Sequence, residues 1–239
     1  MSVSLWRTRA GDNDVAVLEY LPRRPRDVAL VVGHGYSSSK HNLDFLCSFL
    51  SSHGFHVYNF DFPGHKLGAS GGYLRGMDDC VDAMAAVVAA ARERGATTLY
   101  AMGHSMGATT ALLLAAHDAS IDGAIAIATG YGRPTALTAL RAAGATDFRS
   151  SYVDGVDLPT LFADADARFD RGLAHLAGRP VLYVAATRDA MVSPASVHDL
   201  YERAPQPKTL AVIESDHTYA GDHARASVLQ WLSERHPRD

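Results

Sequence analysis

Residues 103–107 read Gly-His-Ser-Met-Gly, which places a serine between two glycines in the spacing G-x-S-x-G. The apolar segment 98–102 before it is typical of a buried strand, and the segment 108–116 after it is typical of a buried helix. A serine at a sharp strand-to-helix turn forms a nucleophile elbow, in which strained backbone lifts the hydroxyl clear of the sheet. Glycine relieves crowding at such a turn, and the helix N-terminus points free N–H groups at the hydroxyl. This context predicts that Ser105 is a nucleophile rather than a helix cap.

Short apolar runs alternate with amphipathic segments over most of the chain. The predicted strands cover residues 15–21, 28–32, 56–60, 98–102, 123–128, 180–186 and 209–213. Several of these runs are almost continuously hydrophobic, which is typical of strands buried on both faces of a parallel sheet. The alternation predicts an α/β fold with a doubly wound, mostly parallel sheet, to which the first one or two strands, up to Leu21, add in antiparallel orientation.

Helices are predicted between these strands. Asp78 and Asp79 favour the start of a helix, and Gly95 favours its end. The last helix is predicted over 220–234. Both cysteines, Cys47 and Cys80, fall in helical and apolar stretches, so we expect buried free thiols, although the sequence alone leaves a disulfide open.

We predict a single domain over residues 1–239, because a chain of 239 residues with 47% hydrophobic content can bury one large core. The stretch 131–178 interrupts the alternation, since it contains no convincing strand and many alanines. Short helical pieces are predicted there at 134–143, 159–165 and 168–177. We interpret this stretch as one regular helix plus a small helical lid, inserted between core strands over their carboxyl ends.

The composition argues against several classes of partner. The net charge of −4 comes from 22 basic and 26 acidic residues with no basic stripe, so we expect no nucleic acid partner. The 12 histidines show no metal-ligand spacing, and we expect neither a metal nor a cofactor. No apolar run reaches about 18 residues and the first residues lack a signal peptide's apolar region, so we expect a cytoplasmic protein without membrane contact.

A serine hydroxyl needs an adjacent base, which a third group must orient. His217 follows the predicted strand 209–213, and Asp189 follows the strand 180–186, so both should reach the same sheet edge as Ser105. We therefore predict a catalytic triad in which Ser105 is the nucleophile, His217 the base and Asp189 the orienting acid. Asp216 is the main alternative acid, although its position next to His217 makes convergence of the two side chains awkward.

Two backbone N–H groups are predicted to stabilise the developing oxyanion. The run Gly-His-Gly-Tyr at 33–36 ends the strand expected beside the elbow, and its glycines let the backbone turn an N–H towards the serine. We assign these donors to Tyr36 and Met106, and we name Tyr36 and His104 as candidate substrate-binding residues. The Tyr36 side chain could line an acyl pocket or serve only in packing.

These segments together resemble the α/β-hydrolase superfamily from about residue 15 to residue 231. The motifs G-H-G-Y, D-F-P-G-H, G-H-S-M-G, R-D-x-x-V-x-P and D-H are similar to the branch of monoacylglycerol-lipase-like, feruloyl-esterase-like and serine-aminopeptidase-like serine hydrolases. The resemblance implies the same triad and the same oxyanion donors. Two features depart from it: the residues after D-F-P-G-H read Lys-Leu-Gly-Ala-Ser rather than G-x-S, and the lid is shorter than in true lipases.

The sequence therefore predicts a serine hydrolase that cleaves carboxylic esters of small to medium acyl groups through an acyl-enzyme, without a cofactor. A thioesterase with the same triad is the first alternative, and a non-catalytic, receptor-like binding protein of the same fold is the second. Cofactor-free C–C bond hydrolysis stays open, and a peptidase is less favoured. Five aromatic side chains could line the acyl pocket or merely anchor the lid: Tyr131, Phe148, Tyr152, Phe162 and Phe169.

Overall fold

The computed structural model describes residues 1–132 and 144–238, which form one eight-stranded sheet in the order β1-β2-β4-β3-β5-β6-β7-β8. The strands are β1 (Ser2–Ala10), β2 (Asn13–Leu21), β3 (Val28–Gly33), β4 (His56–Phe60), β5 (Thr98–His104), β6 (Gly123–Ile127), β7 (Val181–Ala186) and β8 (Lys208–Ile213). β2 pairs antiparallel with β1 and β4, whereas the pairs β4-β3, β3-β5, β5-β6, β6-β7 and β7-β8 are parallel. The predicted fold class, an α/β fold with a mostly parallel sheet, is confirmed.

Helices cover both faces of this sheet. They are α1 (Asp44–Ser52), α2 (Met77–Glu93), α3 (Met106–His117), α4 (Ala145–Ser150), α5 (Leu158–Gly172), α6 (Pro194–Arg203), α7 (Ala220–His223) and α8 (Arg225–Arg235). Short 3-10 turns also span Lys40–Leu43 and Leu173–Leu176. Within the described ranges, no helix combines the length and apolarity needed to cross a membrane.

Alternate residues of the central strands face two separate hydrophobic clusters. In β3, Ala29 and Val31 belong to the cluster that includes α2, α3, α5 and α6, whereas Leu30 and Val32 belong to the cluster that includes α1, α7 and α8. Every residue of β3 is buried. The two covered faces explain why the central strands read as continuous apolar runs.

The structure differs from the sequence prediction at the ends of several strands and helices. β1 has no apolar run because most of its side chains are exposed at the sheet edge. Asp78 and Asp79 do not cap α2, whose N-cap is Gly76. Both lie in its first turn, where Asp78 pairs with Arg168 at 2.6 Å. The last helix is divided at Ala224 into α7 and α8.

The stretch 131–178 contains α4, α5 and the turn Leu173–Leu176. The two helical pieces predicted at 159–165 and 168–177 are largely one continuous helix, α5, which Asp157 caps by accepting the N–H of Thr160 at 2.8 Å. The piece predicted at 134–143 lies outside the described residues. The division into a single domain with an inserted lid stays a prediction. Both cysteines are buried free thiols.

Two glycines, Gly103 and Gly107, allow the backbones of β3, β5 and α3 to touch. A Cβ atom on Gly107 would lie 2.0 Å from the carbonyl oxygen of Gly33, and one on Gly103 would lie 2.2 Å from the carbonyl carbon of Gly107. The N–H of Gly107 also donates to the carbonyl of His34 at 3.0 Å. Any larger residue at 103 or 107 would force the first turn of α3 away from the sheet.

We expect Gly107→Ala to lower the free energy of unfolding by about 3 kcal/mol or more, because the added methyl group meets rigid backbone rather than a movable side chain. The matched control is Gly71→Ala, whose Cβ would have only the Asp14 side chain within 4 Å, at 3.9 Å, and should change stability by less than about 1 kcal/mol. Urea unfolding of the two variants and the wild type measures the difference. Equal stability of the two variants would contradict the close contact.

Candidate active site

Ser105 lies on the turn between β5 and α3. Its backbone has φ 53° and ψ −113°, a conformation that a residue with a side chain adopts only under strain of about 1–3 kcal/mol. The surrounding structure holds this turn, since the N–H of Ser105 donates to the carbonyl of Ile127 on the neighbouring strand at 2.8 Å. The side chain therefore projects beyond the carboxyl edge of the sheet, at the start of α3.

His217 and Asp189 meet in the loops that follow β8 and β7. Nδ1 of His217 lies 2.7 Å from Oδ2 of Asp189, whose side chain is completely buried. The other oxygen, Oδ1, accepts the N–H groups of Met191 at 2.8 Å and Val192 at 2.7 Å. These bonds stabilise the carboxylate and fix its direction. When the imidazole is neutral, this contact places its proton on Nδ1, which faces Asp189. Nε2 is then free to accept a proton.

Asp216, the alternative acid of the sequence analysis, has a different partner from the His217 ring. Its side chain is exposed and accepts the N–H of Tyr219 at 3.0 Å. Asp189 is therefore the carboxylate that contacts the imidazole.

Ser105 and His217 line one cavity of about 120 Å³ at the carboxyl edge of the sheet. Among the described residues, no hydrogen bond joins the Ser105 hydroxyl to His217. Contacts between a nucleophile and its base are often loose without substrate and tighten in the reacting complex. The structure thus brings two of the predicted triad residues to one cavity and pairs the third with the imidazole.

His104 stabilises the loop that carries His217. Its Nε2 lies 2.8 Å from the carbonyl oxygen of His217, and the two ring centroids are 4.7 Å apart. Burial, followed by the charge of His217, lowers the pKa of His104 to about 3, so its ring stays neutral at physiological pH. As a candidate substrate-binding residue, His104 does line the cavity.

The two assigned oxyanion donors are the backbone N–H groups of Tyr36 and Met106. Neither Tyr36 nor Met106 donates its backbone N–H to a partner within the described residues. The Tyr36 ring is buried, its hydroxyl donates to the carbonyl of Val156 at 2.9 Å, and the residue lines the cavity. Met106 is buried at the first position of α3 and is not part of the cavity wall.

A buried polar cluster supports the loop that carries Tyr36. The His34 ring lies between the carbonyl of Gly35 at 2.8 Å and the N–H of Phe62, which donates to Nε2 at 3.0 Å. Nearby, the carboxylate of Asp61 pairs with Nζ of Lys40 at 2.5 Å. Burial alone would raise the pKa of Asp61. His34 and Lys40 outweigh burial, so the pKa of Asp61 stays below its usual value. The cluster fixes the entrance loop from beneath.

Sequence reasoning missed most of the cavity wall. The five aromatic residues considered for an acyl pocket do not line it, and Phe162 and Phe169 pack in the core instead. The described wall includes Ser37, Ser38, Asn42, Leu43, Arg149, Leu158, Met191 and Thr218. Arg149 lies on α4 in a stretch without a recognisable motif, so no local signal could have identified it.

One family profile matches the chain. Residues 24–169 match the family described as "Serine aminopeptidase, S33", which is more than half of the sequence and includes Ser105. No curated protein sequence matches the chain.

Solved structures share this fold over nearly the whole chain. The esterase Pf2001 of Pyrococcus furiosus is 20% identical, with a TM-score of 0.74, over 98% of this chain and 92% of that one. The monoacylglycerol lipase of Paleococcus ferrophilus is 19% identical, with a TM-score of 0.69, over 97% of this chain and 99% of that one. Est1E from Butyrivibrio proteoclasticus, solved with ferulic acid bound, is 18% identical, with a TM-score of 0.73, over 96% and 97%. The resemblance to α/β hydrolases is confirmed.

We expect His104→Gln to weaken the pH dependence of stability. The folded protein holds the pKa of His104 at about 3, whereas an unfolded chain has a value of about 6.5. Between these values only the unfolded chain binds the proton, so this contribution to stability is complete above about pH 6.5 and is lost as the pH falls. Between about pH 7.5 and pH 5, the free energy of unfolding of the wild type should therefore fall by about 2 kcal/mol more than that of the variant.

Urea unfolding at these two pH values tests this expectation. His198→Gln is the control, because it removes an exposed histidine on α6. An equal loss of stability in His104→Gln and in the wild type would show that the folded protein does not exclude a proton from this ring.

Proposed function

Because the chain belongs to the serine aminopeptidase, S33 family of α/β hydrolases, we propose that it is a serine hydrolase that cleaves carboxylic esters of small to medium acyl groups. The observation that carries the proposal is the 2.7 Å contact between His217 and the buried Asp189, beside a cavity that Ser105 also lines. A carboxylate so placed fixes the tautomer of the imidazole and stabilises its protonated form.

In the proposed mechanism, His217 Nε2 takes the proton of the Ser105 hydroxyl as the oxygen attacks the ester carbonyl. The N–H groups of Tyr36 and Met106 then donate to the negatively charged oxygen of the tetrahedral intermediate. The imidazolium returns the proton to the departing alcohol, which leaves an acyl group on Ser105. Water, activated by His217 in the same way, releases the acid and restores the serine.

The size of the cavity supports small acyl groups. Its volume of about 120 Å³ is slightly below the ~150 Å³ of a protein cavity that holds benzene. Leu43, Leu158 and Met191 supply apolar surface to its wall. A short acyl chain fits this space, whereas a long one would extend into solvent.

Three alternative functions would use the same site. A thioesterase would use the same triad, because thioester and ester carbonyls need the same nucleophile and oxyanion donors. A receptor-like protein would keep the cavity but leave Ser105 unreactive. An aminopeptidase, the activity in the family's description, needs an acidic group near the substrate's ammonium, yet no Asp or Glu belongs to the described cavity wall. The positive charge of Arg149 there would repel an ammonium group.

Covalent labelling combined with hydrolysis rates tests the proposal. A fluorophosphonate should label the wild type and not Ser105→Ala, and p-nitrophenyl acetate and butyrate should be cleaved faster than the decanoate. Rates should be expressed after subtraction of the Ser105→Ala blank. Absence of labelling and of Ser105-dependent turnover would overturn the hydrolase and favour a receptor. Labelling with turnover of thioesters only would favour the thioesterase.

We expect Asp189→Asn to lower kcat by about 10⁴-fold, because the amide would present a donor to Nδ1 and favour the wrong tautomer of His217. The matched control is Asp216→Asn, which also removes one carboxylate beside His217 but keeps an acceptor for the N–H of Tyr219. It should change kcat by less than about threefold if Asp189 alone orients the base. Similar losses in both variants would contradict this assignment.

A further inference from the structure

Arg149 is a half-buried cation in the wall of the cavity that Ser105 and His217 line. The described hydrogen bonding of its guanidinium is limited to one contact, from Nη1 to the Ser37 hydroxyl at 3.4 Å. Among the described residues it forms no ion pair, whereas Arg168 on α5 binds two aspartates. A guanidinium has five N–H donors, so most of its donor capacity is available to a ligand.

The electrostatic environment of the cavity favours an anion. The wall contains no Asp or Glu among the described residues, and Asp189 is covered behind His217 with both oxygens already bonded. His104 contributes no charge, since burial, with the nearby positive groups including Arg149, holds its pKa at about 3. Arg149 therefore supplies the fixed positive charge of the wall.

The position of Arg149 brings this charge close to the reacting groups. Ser37, which it contacts, directly follows the assigned oxyanion donor Tyr36. A planar guanidinium binds a carboxylate through two parallel hydrogen bonds, a geometry that a lysine cannot provide. A partly desolvated arginine also gains more from such a partner than a fully solvated one.

We propose that Arg149 is a specificity-determining residue that binds a carboxylate carried by the ester substrate. The proposal rests on the hydrolase function proposed above and narrows its substrates to anionic esters. The carboxylate can belong to the acyl group or to the alcohol. Both sources place the same chemical group against the guanidinium.

Two pairs of esters that differ only in charge separate these sources. Mono-p-nitrophenyl adipate carries a carboxylate on the acyl group, and p-nitrophenyl adipamate replaces it with an uncharged amide. Para-acetoxybenzoate carries a carboxylate on the leaving group, and para-acetoxybenzamide is its uncharged counterpart. The measured quantity is the ratio of kcat/KM for the carboxylate and the amide in each pair, after subtraction of the Ser105→Ala blank.

The wild type should prefer the carboxylate by about 10- to 100-fold in at least one pair, the size expected for a charge-assisted hydrogen bond. Arg149→Gln should bring that ratio to about one, and Arg149→Lys should give an intermediate ratio because charge remains without the planar fork. Arg9→Gln is the control for net charge, since Arg9 is exposed on β1 at the sheet edge, and it should keep the wild-type ratio.

The outcomes distinguish this inference from the proposed function. Ser105-dependent turnover of the amides without preference for either carboxylate would overturn the role of Arg149 and leave the hydrolase intact. A preference that survives in Arg149→Gln would also overturn it. Absence of Ser105-dependent turnover of all four esters and of p-nitrophenyl acetate would overturn both proposals. If Arg149→Gln does not fold, an Arg149→Lys ratio equal to that of the wild type excludes recognition by the planar guanidinium.

Discussion

The direct backbone contact of α3 with β3 at Gly107 is the constraint on which the site depends. Because no side chain separates these backbones, the first turn of α3 lies directly against the end of the sheet. The chain must then turn within one residue between β5 and α3, and Ser105 takes the strained conformation that results. The same contact places the free N–H of Met106 beside the loop that carries Tyr36. The strained backbone of Ser105 and the absence of side chains at Gly103 and Gly107 thus position the hydroxyl and the N–H groups proposed as oxyanion donors.

Buried ionisable groups around the site are stabilised in two ways. The buried carboxylates each have several hydrogen-bond partners: Asp189 faces His217 Nδ1 and two backbone N–H groups, and Asp61 accepts from the backbone N–H and the Nζ of Lys40. His104 is instead kept neutral, because burial, followed by the charge of His217, lowers its pKa to about 3. A neutral ring beside His217 adds no positive charge next to the imidazole that the buried acid orients.

Sequence reasoning predicted the fold and the approximate strands because the central strands are buried on both faces, which leaves a continuous apolar signal. It could also place Asp189 and His217 at one sheet edge, because parallel strands end on the same side. It missed the extent of β1, whose exposed side chains carry no apolar pattern, and the first turn of α2, where the aspartates bind other groups. Arg149 had no signal at all, since its importance comes from a contact with a loop more than a hundred residues away.

The cavity has walls of two kinds, and this division affects how the protein can change during evolution. The rear wall includes His104 and Ser105 at the end of β5, and behind it a methyl group added to Gly103 or Gly107 would meet backbone. The front wall is made partly by side chains of Arg149 and Leu158, which lie between β6 and β7 and outside the sheet. Mutations in the front wall can alter which molecules enter without disturbing the reacting groups. The architecture therefore separates the backbone that positions the proposed triad from the side chains that shape the entrance to the cavity.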